Sequence, residues 1–365
     1  MHIETVDERI QVFLERVFRI SKSYSTRRSY QVAVHKFEDF LRIRYNLDIN
    51  EAIRQFETKG IDALEALNEF YTYLSQCNLS NGTIRGYIVI AQGFLNSQNL
   101  HIYNEDVKQR FRLPKKESVY EEGLTNEILV RLLHNSSPKL QTAILVCASS
   151  GMRIGELVQL KISDIDFTTT PTTIYLRKEI TKTRETRFTH ITGEATNSLK
   201  DYLRRTFRWI EGSNENKYIF LNCNDPSDNK LYHKAVMSAK VVLMTMVLRV
   251  VKSVPELSKK NENGRNNIHF HALRAWFKTQ VTNAHQSDFA EALMGHKSIK
   301  LTYFRQNAKD RLKTYLEVEP SLTISDFTKV EATMEDLKTE LASMKLELEK
   351  QKQRLEIAEK YAKKS

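Results

Sequence analysis

The sequence predicts a mainly α-helical protein with a small antiparallel β-sheet, an N-terminal helical bundle and a C-terminal coiled coil. Through most of the chain, apolar residues return every three or four positions, which is the period of an amphipathic helix. Residues 172–191 alternate instead and are rich in the β-branched and aromatic side chains that favour strands. Residues 325–365 repeat apolar side chains in alternating steps of three and four, which is the heptad pattern of a coiled coil.

Length and charge limit the classes of protein to which the chain can belong. A chain of 365 residues is too long for one ordinary core, so we expect two domains and an appendage. Lysine and arginine outnumber aspartate and glutamate by 56 to 45, which gives a formal net charge of +11. This surplus indicates a polyanionic partner such as a nucleic acid. We expect neither a secretory signal nor a membrane-spanning segment.

The three cysteines, Cys77, Cys147 and Cys223, lie far apart and form no CxxC pair. Their spacing favours neither a disulfide framework nor a zinc site. The sequence therefore predicts a cytoplasmic protein that needs no metal ion and no cofactor.

Residues 1–112 are predicted to form a helical domain that binds a polyanion. Two helix starts combine hydroxyl and basic residues, with Arg27 and Arg28 at one start and Arg85 at the other. Exposed amides at a helix N-terminus, with an arginine nearby, bind phosphate groups well. Ordinary helix caps with solvated arginines explain either start equally well. The presence of two such starts in one basic domain favours phosphate binding.

Residues 113–123 contain a proline, a glycine and a run of charges without periodicity, and are predicted to link the first domain to a second at 124–322. Early in the second domain, an apolar helix leads into a turn in which two glycines flank Arg153. Glu156 follows one helical turn later and is placed to orient the arginine. The alternative is a helix that ends at a glycine, next to a surface arginine.

A β-hairpin is predicted around Lys182, with strands at 173–177 and 187–191 and a further short strand at 218–221. A lysine near the tip of a hairpin can reach into a groove as a cationic donor or an acid. Most such lysines only keep the sheet edge soluble.

One short segment concentrates residue types that handle phosphodiesters. It contains His271 and Arg274 one helical turn apart, then His296 after a glycine, then Tyr303 and Tyr315. An arginine fork matches two phosphate oxygens, a histidine donates a proton near neutral pH, and a tyrosine hydroxyl can attack phosphorus. Taken singly, each pair also fits a core histidine beside a surface arginine, or a helix stop with a capping imidazole.

The coiled coil predicted for residues 325–365 indicates self-association. A single long helix that folds back on a neighbouring domain would show the same pattern.

Five motifs in order resemble the tyrosine recombinase (phage integrase) family, and its archaeal and archaeal-virus integrases in particular. They are GMRIGEL at 151–157, the hairpin lysine, HALR at 271–274, LMGHKS at 293–298 and a downstream tyrosine. The resemblance implies a core-binding helical domain and an α+β catalytic domain that together clamp double-stranded DNA. It also implies site-specific cleavage and rejoining through a covalent 3′-phosphotyrosine, by a tetramer on DNA.

The resemblance assigns a role to each motif residue. Arg153 and Arg274 would clamp the scissile phosphate, and Glu156 would support Arg153. His271 would act with the two arginines as a donor or proton shuttle. His296 would bond the phosphate or support the nucleophile.

The remaining roles belong to the general acid and the nucleophile. Lys182 would protonate the leaving 5′ oxygen. Arg305 stands where the family pattern has its tyrosine, so Tyr303 is the favoured nucleophile and Tyr315 the alternative. Two other functions use nearly the same residues, namely a type IB topoisomerase-like relaxing enzyme and a catalytically silent DNA-binding protein of the same fold.

Overall fold

The computed structural model describes residues 7–115, 122–210, 212, 216–223, 227–261, 264–296, 306–325 and 344–345. The chain divides into two compact units, Met1–Val119 and Tyr120–Ser365. Within the described ranges, no helix is long and apolar enough to cross a membrane. Of the predicted coiled coil, only residues 325, 344 and 345 are described, so the heptad prediction lies outside the described residues.

Six helices lie in the described part of the first unit, and their apolar faces meet in one core. Phe37 and Phe70 are fully buried there, with ring centroids 5.0 Å apart in an edge-to-face arrangement. Burying aromatic rings in this way contributes several kcal/mol each, since a Phe→Ala change in a core costs about 3–5 kcal/mol. The helices are α1 (Glu8–Ser21), α2 (Tyr24–Tyr45), α3 (Ile49–Glu57), α4 (Ala63–Gln76), α5 (Asn81–Ser97) and α6 (Asn104–Arg110).

Serine side chains determine where α2 and α5 begin. The Ser23 hydroxyl accepts a hydrogen bond from the Thr26 amide at 3.2 Å, and the Ser80 hydroxyl accepts one from the Thr83 amide at 3.3 Å. These bonds satisfy amides that have no partner within the helix.

The second unit is mainly helical, and α8 runs through its centre. The neighbours of α8 include α10, α12, α14 and β3. Because α8 is surrounded in this way, it carries buried side chains on every face. In the described ranges the helices are α7 (Asn126–His134), α8 (Pro138–Ser150), α9 (Ile154–Leu157), α10 (Gly193–Phe207), α11 (Asn229–Ser253), α12 (Phe270–Asn283), α13 (Ser287–Met294) and α14 (Ala308–Leu322). The strands are β1 (Ile165–Asp166), β2 (Thr172–Leu176) and β3 (Arg187–Ile191).

The three strands form an antiparallel sheet in the order β1-β2-β3, which confirms the small antiparallel sheet. Ile174 pairs with Ile165 on one side and with Thr189 on the other.

The strand predicted at 218–221 was wrong. Tyr218 forms a single isolated bridge with Lys161, and the sheet takes the two-residue strand β1 instead. Ile219, Phe220 and Leu221 are all buried, so their side chains do not alternate between a buried and an exposed face. The segment packs as a buried connection rather than as a sheet strand.

The end of α8 fixes the approach to the site. Gly151 has φ +62°, and a Cβ at this position would collide with the ring of Phe277 on α12. A glycine is required here for both reasons. The close contact between the end of α8 and α12 brings Arg153, two residues later, next to the face of α12 that carries Arg274.

Candidate active site

Arg274 lies at the centre of the site and is only 2% exposed. Its guanidinium donates hydrogen bonds to the carbonyl of Gly151, to the carbonyl of Met294 at 2.8 Å and to Nε2 of His296 at 2.9 Å. The two carbonyls terminate α8 and α13, where backbone acceptors lack partners within the helix and carry partial negative charge. Arg274 therefore cross-links two helix ends while holding its own fork in one orientation.

Arg274 keeps its charge despite burial. Burial, together with the nearby cations Arg153 and Arg187, lowers its pKa to about 10, although Glu156 acts in the opposite direction. The guanidinium is still protonated at neutral pH. A cation held in a poorly hydrated environment attracts an anion more strongly than a cation in water does.

Glu156 joins two more arginines and is almost completely buried. Its carboxylate accepts hydrogen bonds from the amide and guanidinium of Arg153, at 2.8 and 3.1 Å. It also accepts two from Arg187, at 3.1 and 2.6 Å. Burial raises the pKa of the Glu156 carboxyl, but the bonds and charges of Arg187 and Arg153 outweigh burial and hold it below the usual value. The buried carboxylate is therefore ionised and orients Arg153.

Arg187 is a residue that the sequence analysis missed. Besides its two bonds to Glu156, its Nε donates to the carbonyl of Leu293 at 2.9 Å. Its side chain lies so close to Gly295, which has φ +67°, that a Cβ there would lie 3.0 Å from Cδ of Arg187. The available signal was the strand register, because Arg187 shares a face with the buried Thr189, and a charge on a buried face has a partner.

His296 and Glu291 extend the site along α13. Nδ1 of His296 contacts one oxygen of the Glu291 carboxylate, and Nζ of Lys278 contacts the other. Neither Glu291 nor Lys278 was singled out in the sequence, because a glutamate and a lysine on exposed helix faces are common. Only the ring of His296 between Arg274 and Glu291 distinguishes them.

His271 and Lys182 lie at the surface of the second unit. His271 is exposed on α12, and its ring stacks on that of His269 with centroids 6.4 Å apart. Lys182 is exposed in the connection between β2 and β3. The structure therefore brings Arg153 and Glu156 together, and Arg274 and His296 together, through hydrogen bonds, with Arg153 and Glu156 also acting electrostatically on Arg274. It leaves the side chains of His271 and Lys182 exposed to solvent.

The two candidate nucleophiles are Tyr303 and Tyr315. Tyr303 lies outside the described residues. Tyr315, on α14, is fully buried, and its hydroxyl donates to the carbonyl of Ser149 at 2.7 Å. Its ring lies edge-on to that of His190, with centroids 5.3 Å apart. Burial raises the pKa of the Tyr315 hydroxyl well above the usual value.

The three arginines singled out in the first unit lie in the early turns of α2 and α5. Arg28 and Arg85 are exposed, and Arg85 donates to the carbonyl of Pro114 at 3.2 Å. Arg27 is half-buried and donates to the side chain of Gln11 at 3.3 Å.

Together, the fold and the site indicate a protein that binds phosphate groups. The second unit is a mainly helical domain with a three-stranded antiparallel sheet, and its site holds a buried guanidinium, an oriented second guanidinium and an imidazole. Such a set binds the oxygens of a phosphate group. Among the described residues, no group of three His, Cys, Asp or Glu side chains is placed to hold a metal ion.

The model of the phage integrase family matches residues 122–310, just over half of the chain. The chain therefore belongs to the phage integrase family. This confirms the resemblance at the level of the family.

Individual relatives agree with this assignment. The chain is 26% identical over 318 residues to a protein named tyrosine recombinase XerC from Bacillus pumilus (strain SAFR-032), covering 80% of this chain and 97% of the relative. It is 23% identical over 321 residues to a tyrosine recombinase from Thermosipho africanus (strain TCF52B), covering 84% and 98%.

Solved structures show the same fold. A crystal structure of a lambda integrase dimer bound to a COC′ core site aligns with a TM-score of 0.54 and 15% identity, covering 83% of this chain and 99% of that chain. The XerH site-specific recombinase bound to its difH substrate aligns with a TM-score of 0.50 and 19% identity, covering 83% and 82%.

Proposed function

We propose that this protein is a site-specific DNA recombinase that cleaves and rejoins double-stranded DNA through a covalent 3′-phosphotyrosine intermediate. The observation that carries the proposal is the buried, charged guanidinium of Arg274, hydrogen-bonded to two helix ends and to His296. A cation so firmly held is preorganised for a ligand that develops negative charge during reaction. The membership of the chain in the phage integrase family supports the same function.

Arg153 and Arg274 bind the non-bridging oxygens of the scissile phosphate. Displacement at phosphorus builds negative charge on these oxygens, and each preorganised donor stabilises it by about 3–4 kcal/mol. Glu156 supports this role because its carboxylate holds the guanidinium of Arg153 in one orientation. His271, one turn before Arg274 on α12, acts with the two arginines as a donor or proton shuttle. His296, at the end of α13, bonds the phosphate or supports the nucleophile.

Tyr303 is the nucleophile and Lys182 the general acid. The Tyr303 oxygen forms a bond to phosphorus and gives its proton to His271, which acts as the proton shuttle. The bond from phosphorus to the 5′ oxygen breaks, and that oxygen takes a proton from Lys182. The phosphodiester energy is kept in the tyrosyl ester, so the strand is rejoined without ATP. Tyr315 is the weaker candidate, because its hydroxyl would have to break the bond to Ser149 and leave a buried position.

DNA is held by both predicted domains. Residues 1–112 are the core-binding domain, in which Arg27, Arg28 and Arg85 contact phosphates, and residues 124–322 are the catalytic domain. The exposure of Arg28 and Arg85 near helix starts supports this role.

The protein assembles as a tetramer on DNA, and the coiled coil of residues 325–365 contributes to this assembly. We assign it to the archaeal or archaeal-virus integrases within the family, acting in the cytoplasm of the host. Gel filtration and light scattering of a chain that ends at Ser325 test the role of the tail. This end keeps the amides of Ile324 and Ser325, which donate to Glu194 at 3.0 Å each. An oligomeric state equal to that of the full chain, with and without DNA, would contradict a role in assembly.

A covalent trapping assay tests the reaction. The wild type, Tyr303→Phe and Tyr315→Phe are incubated without metal with nicked duplexes that carry candidate sites, and denaturing gels reveal DNA-linked protein. We expect the adduct to vanish in Tyr303→Phe and to persist in Tyr315→Phe. The second variant loses only a buried hydrogen bond, at a cost of about 1 kcal/mol of stability.

The other outcomes are equally informative. Loss of the adduct only in Tyr315→Phe moves the nucleophile but keeps the mechanism. Absence of an adduct in every protein, on DNA that each demonstrably binds, contradicts the proposed reaction and favours the catalytically silent DNA-binding protein.

A further inference from the structure

The contacts of His296 are compatible with one neutral form of its ring. Arginine has donors and no acceptor, so the 2.9 Å contact from Arg274 requires a lone pair on Nε2 of His296. The ring proton is then on Nδ1, and Nδ1 faces the Glu291 carboxylate, which is an acceptor. Both neighbours therefore select the tautomer that is protonated on Nδ1.

The Glu291 carboxylate is itself held in place. Lys278 lies one helical turn after Arg274 on α12 and contacts the carboxylate oxygen that His296 does not use. Burial raises the pKa of Glu291, but the hydrogen bonds and charges of Lys278 and His296 outweigh burial and hold it below its usual value. The carboxylate is therefore charged and accepts from both partners.

The charges around His296 come from three elements. Arg274 and Lys278 lie on α12, Glu291 lies on α13, and the Arg187 side chain from β3 packs against the adjacent Gly295. Glu291 is the anion in this set that touches the ring.

We propose that Glu291 is a positioning residue that holds His296 protonated on Nδ1, with the Nε2 lone pair directed at Arg274. This proposal rests on the proposed function and deepens it. When Nε2 takes up a proton, it stops accepting from Arg274, and that N–H of the guanidinium becomes available to a phosphate oxygen. The Glu291 carboxylate stabilises the imidazolium that results. Lys278 fixes the carboxylate rotamer and so acts through Glu291.

A purely structural role for Glu291 makes a different prediction. The end of α13 is also closed by the His296 amide, which donates to the Glu291 carbonyl at 3.1 Å, and by Gly295 in the left-handed conformation. These backbone features do not need the Glu291 side chain. If the side chain only stabilised the helix end, its removal would change stability and leave the tautomer and the pH dependence of cleavage unaltered.

The first test observes the tautomer directly, without DNA. The full-length protein is labelled with ring-15N histidine, and the His296 signals are assigned from the spectrum of His296→Gln. We expect the wild type to be protonated on Nδ1. Glu291→Ala should populate more of the tautomer protonated on Nε2, because one of the two contacts that select Nδ1 protonation is lost and a histidine side chain in water favours Nε2, whereas Asp288→Asn should not. Asp288 is an exposed acid at the other end of the same helix and matches the charge change.

The second test is a double-mutant cycle on the rate of covalent adduct formation at saturating DNA, measured across pH. Glu291→Ala should slow the step by on the order of 10- to 100-fold, since a misplaced catalytic group can cost about 100-fold. In the His296→Gln background, the same change should have almost no further effect. Glu291→Gln, which retains the volume and an oxygen acceptor, should recover part of the rate and shift the pH profile.

The outcomes separate this proposal from the proposed function. An unchanged Nδ1-protonated ring in Glu291→Ala, or a wild-type ring protonated on Nε2, overturns the positioning role whatever the protein does to DNA. Equal adduct rates in the wild type and Glu291→Ala, or full additivity with His296→Gln, also overturn it. A wild type that forms no adduct refutes the proposed function. The tautomer measurement uses no DNA, so it tests the positioning role independently of that result. If Glu291→Ala does not fold, Glu291→Leu, which retains much of the volume but has no acceptor, replaces it in both tests.

Discussion

The site arginines of the second unit and the arginines at the helix starts of the first unit differ in burial and in hydrogen bonding. In the second unit, Arg274 is buried and the side chain of Arg187 is only 10% exposed. Both donate to backbone carbonyls, and Arg187 also donates to Glu156. In the first unit, Arg28 and Arg85 stand in solvent near helix starts. A buried guanidinium has one orientation and little hydration, whereas an exposed one has many orientations and is screened by salt.

This difference indicates which arginines can stabilise one geometry of the reacting phosphate and which can only increase the affinity for DNA. Buried cations suit the stabilisation of a transition state, because their orientation is settled before the ligand arrives. Exposed cations suit binding to the phosphate backbone, because that term depends on charge rather than on precise placement. Four predictions test this distinction between buried and exposed charged groups.

The largest effect is expected for Arg274→Lys. Lysine keeps the charge but cannot reach both helix ends and His296 at once, because it lacks the planar fork. Adduct formation at saturating DNA should fall by about 1,000-fold, with DNA affinity nearly unchanged. Arg205→Lys, on an exposed position of α10, is the matched control. A loss below tenfold would show that burial of Arg274 serves only the fold.

The next effect concerns stability. Glu156→Gln removes the anion that Arg153 and Arg187 share and leaves buried charge uncompensated, so the second unit should lose about 3–5 kcal/mol. Denaturant unfolding followed by tryptophan fluorescence reports this unit selectively, because the two tryptophans, Trp209 and Trp276, both belong to it.

The control for that measurement is a surface ion pair in the same unit. Glu256 lies 3.9 Å from Arg131 with both side chains more than half exposed, so Glu256→Gln should cost less than about 1 kcal/mol. Equal losses in the two variants would remove the distinction between buried and exposed charges.

A smaller effect of pH is expected from His190, a buried residue beside Tyr315. Burial, with a further contribution from Arg311, lowers its pKa from 6.5 to about 4. The unfolded chain therefore takes up this proton at a higher pH than the folded chain does. The contribution of the neutral His190 to the free energy of unfolding is fully present above pH 6.5. It falls by about 3 kcal/mol as the pH drops toward 4.

His190→Gln should reduce this dependence. The difference in unfolding free energy between variant and wild type, measured from pH 7 to pH 4, cancels the titration of carboxylates that both share. The exposed His134→Gln provides the control. A difference that does not change with pH would mean that His190 is protonated in the folded protein.

The smallest effect is expected in the first unit. Arg28→Ala and Arg85→Ala together should weaken DNA binding by about tenfold and reduce the slope of log affinity against log salt by about one per lost phosphate contact. Fluorescence anisotropy at several salt concentrations measures both quantities. Arg42→Ala, an arginine of α2 that is paired with Glu38, is the control. An unchanged slope would exclude these arginines from the DNA surface.

By itself, the sequence determined the helical character of both units, the β2–β3 hairpin and the motif that contains Arg153 and Glu156. These features are local, because periodicity and turn residues act over a few positions. The missed strand β1 has only two residues, too few for a pattern. The strand wrongly predicted at 218–221 has the right residue types, but its neighbours bury the three consecutive side chains of Ile219, Phe220 and Leu221.

Only the tertiary structure decided which cations are buried and what they bind. Arg274 bonds to Gly151 across 123 residues of chain, and Arg187 bonds to Leu293 across 106. No local pattern contains such pairs. The packing of α8, α12, α13 and α14 determines the contacts of Arg187 and Glu291. It also buries the Tyr315 hydroxyl against Ser149. Packing is a sum of many distant contacts, and for this reason the partners of a charged side chain cannot be deduced from its neighbours in sequence.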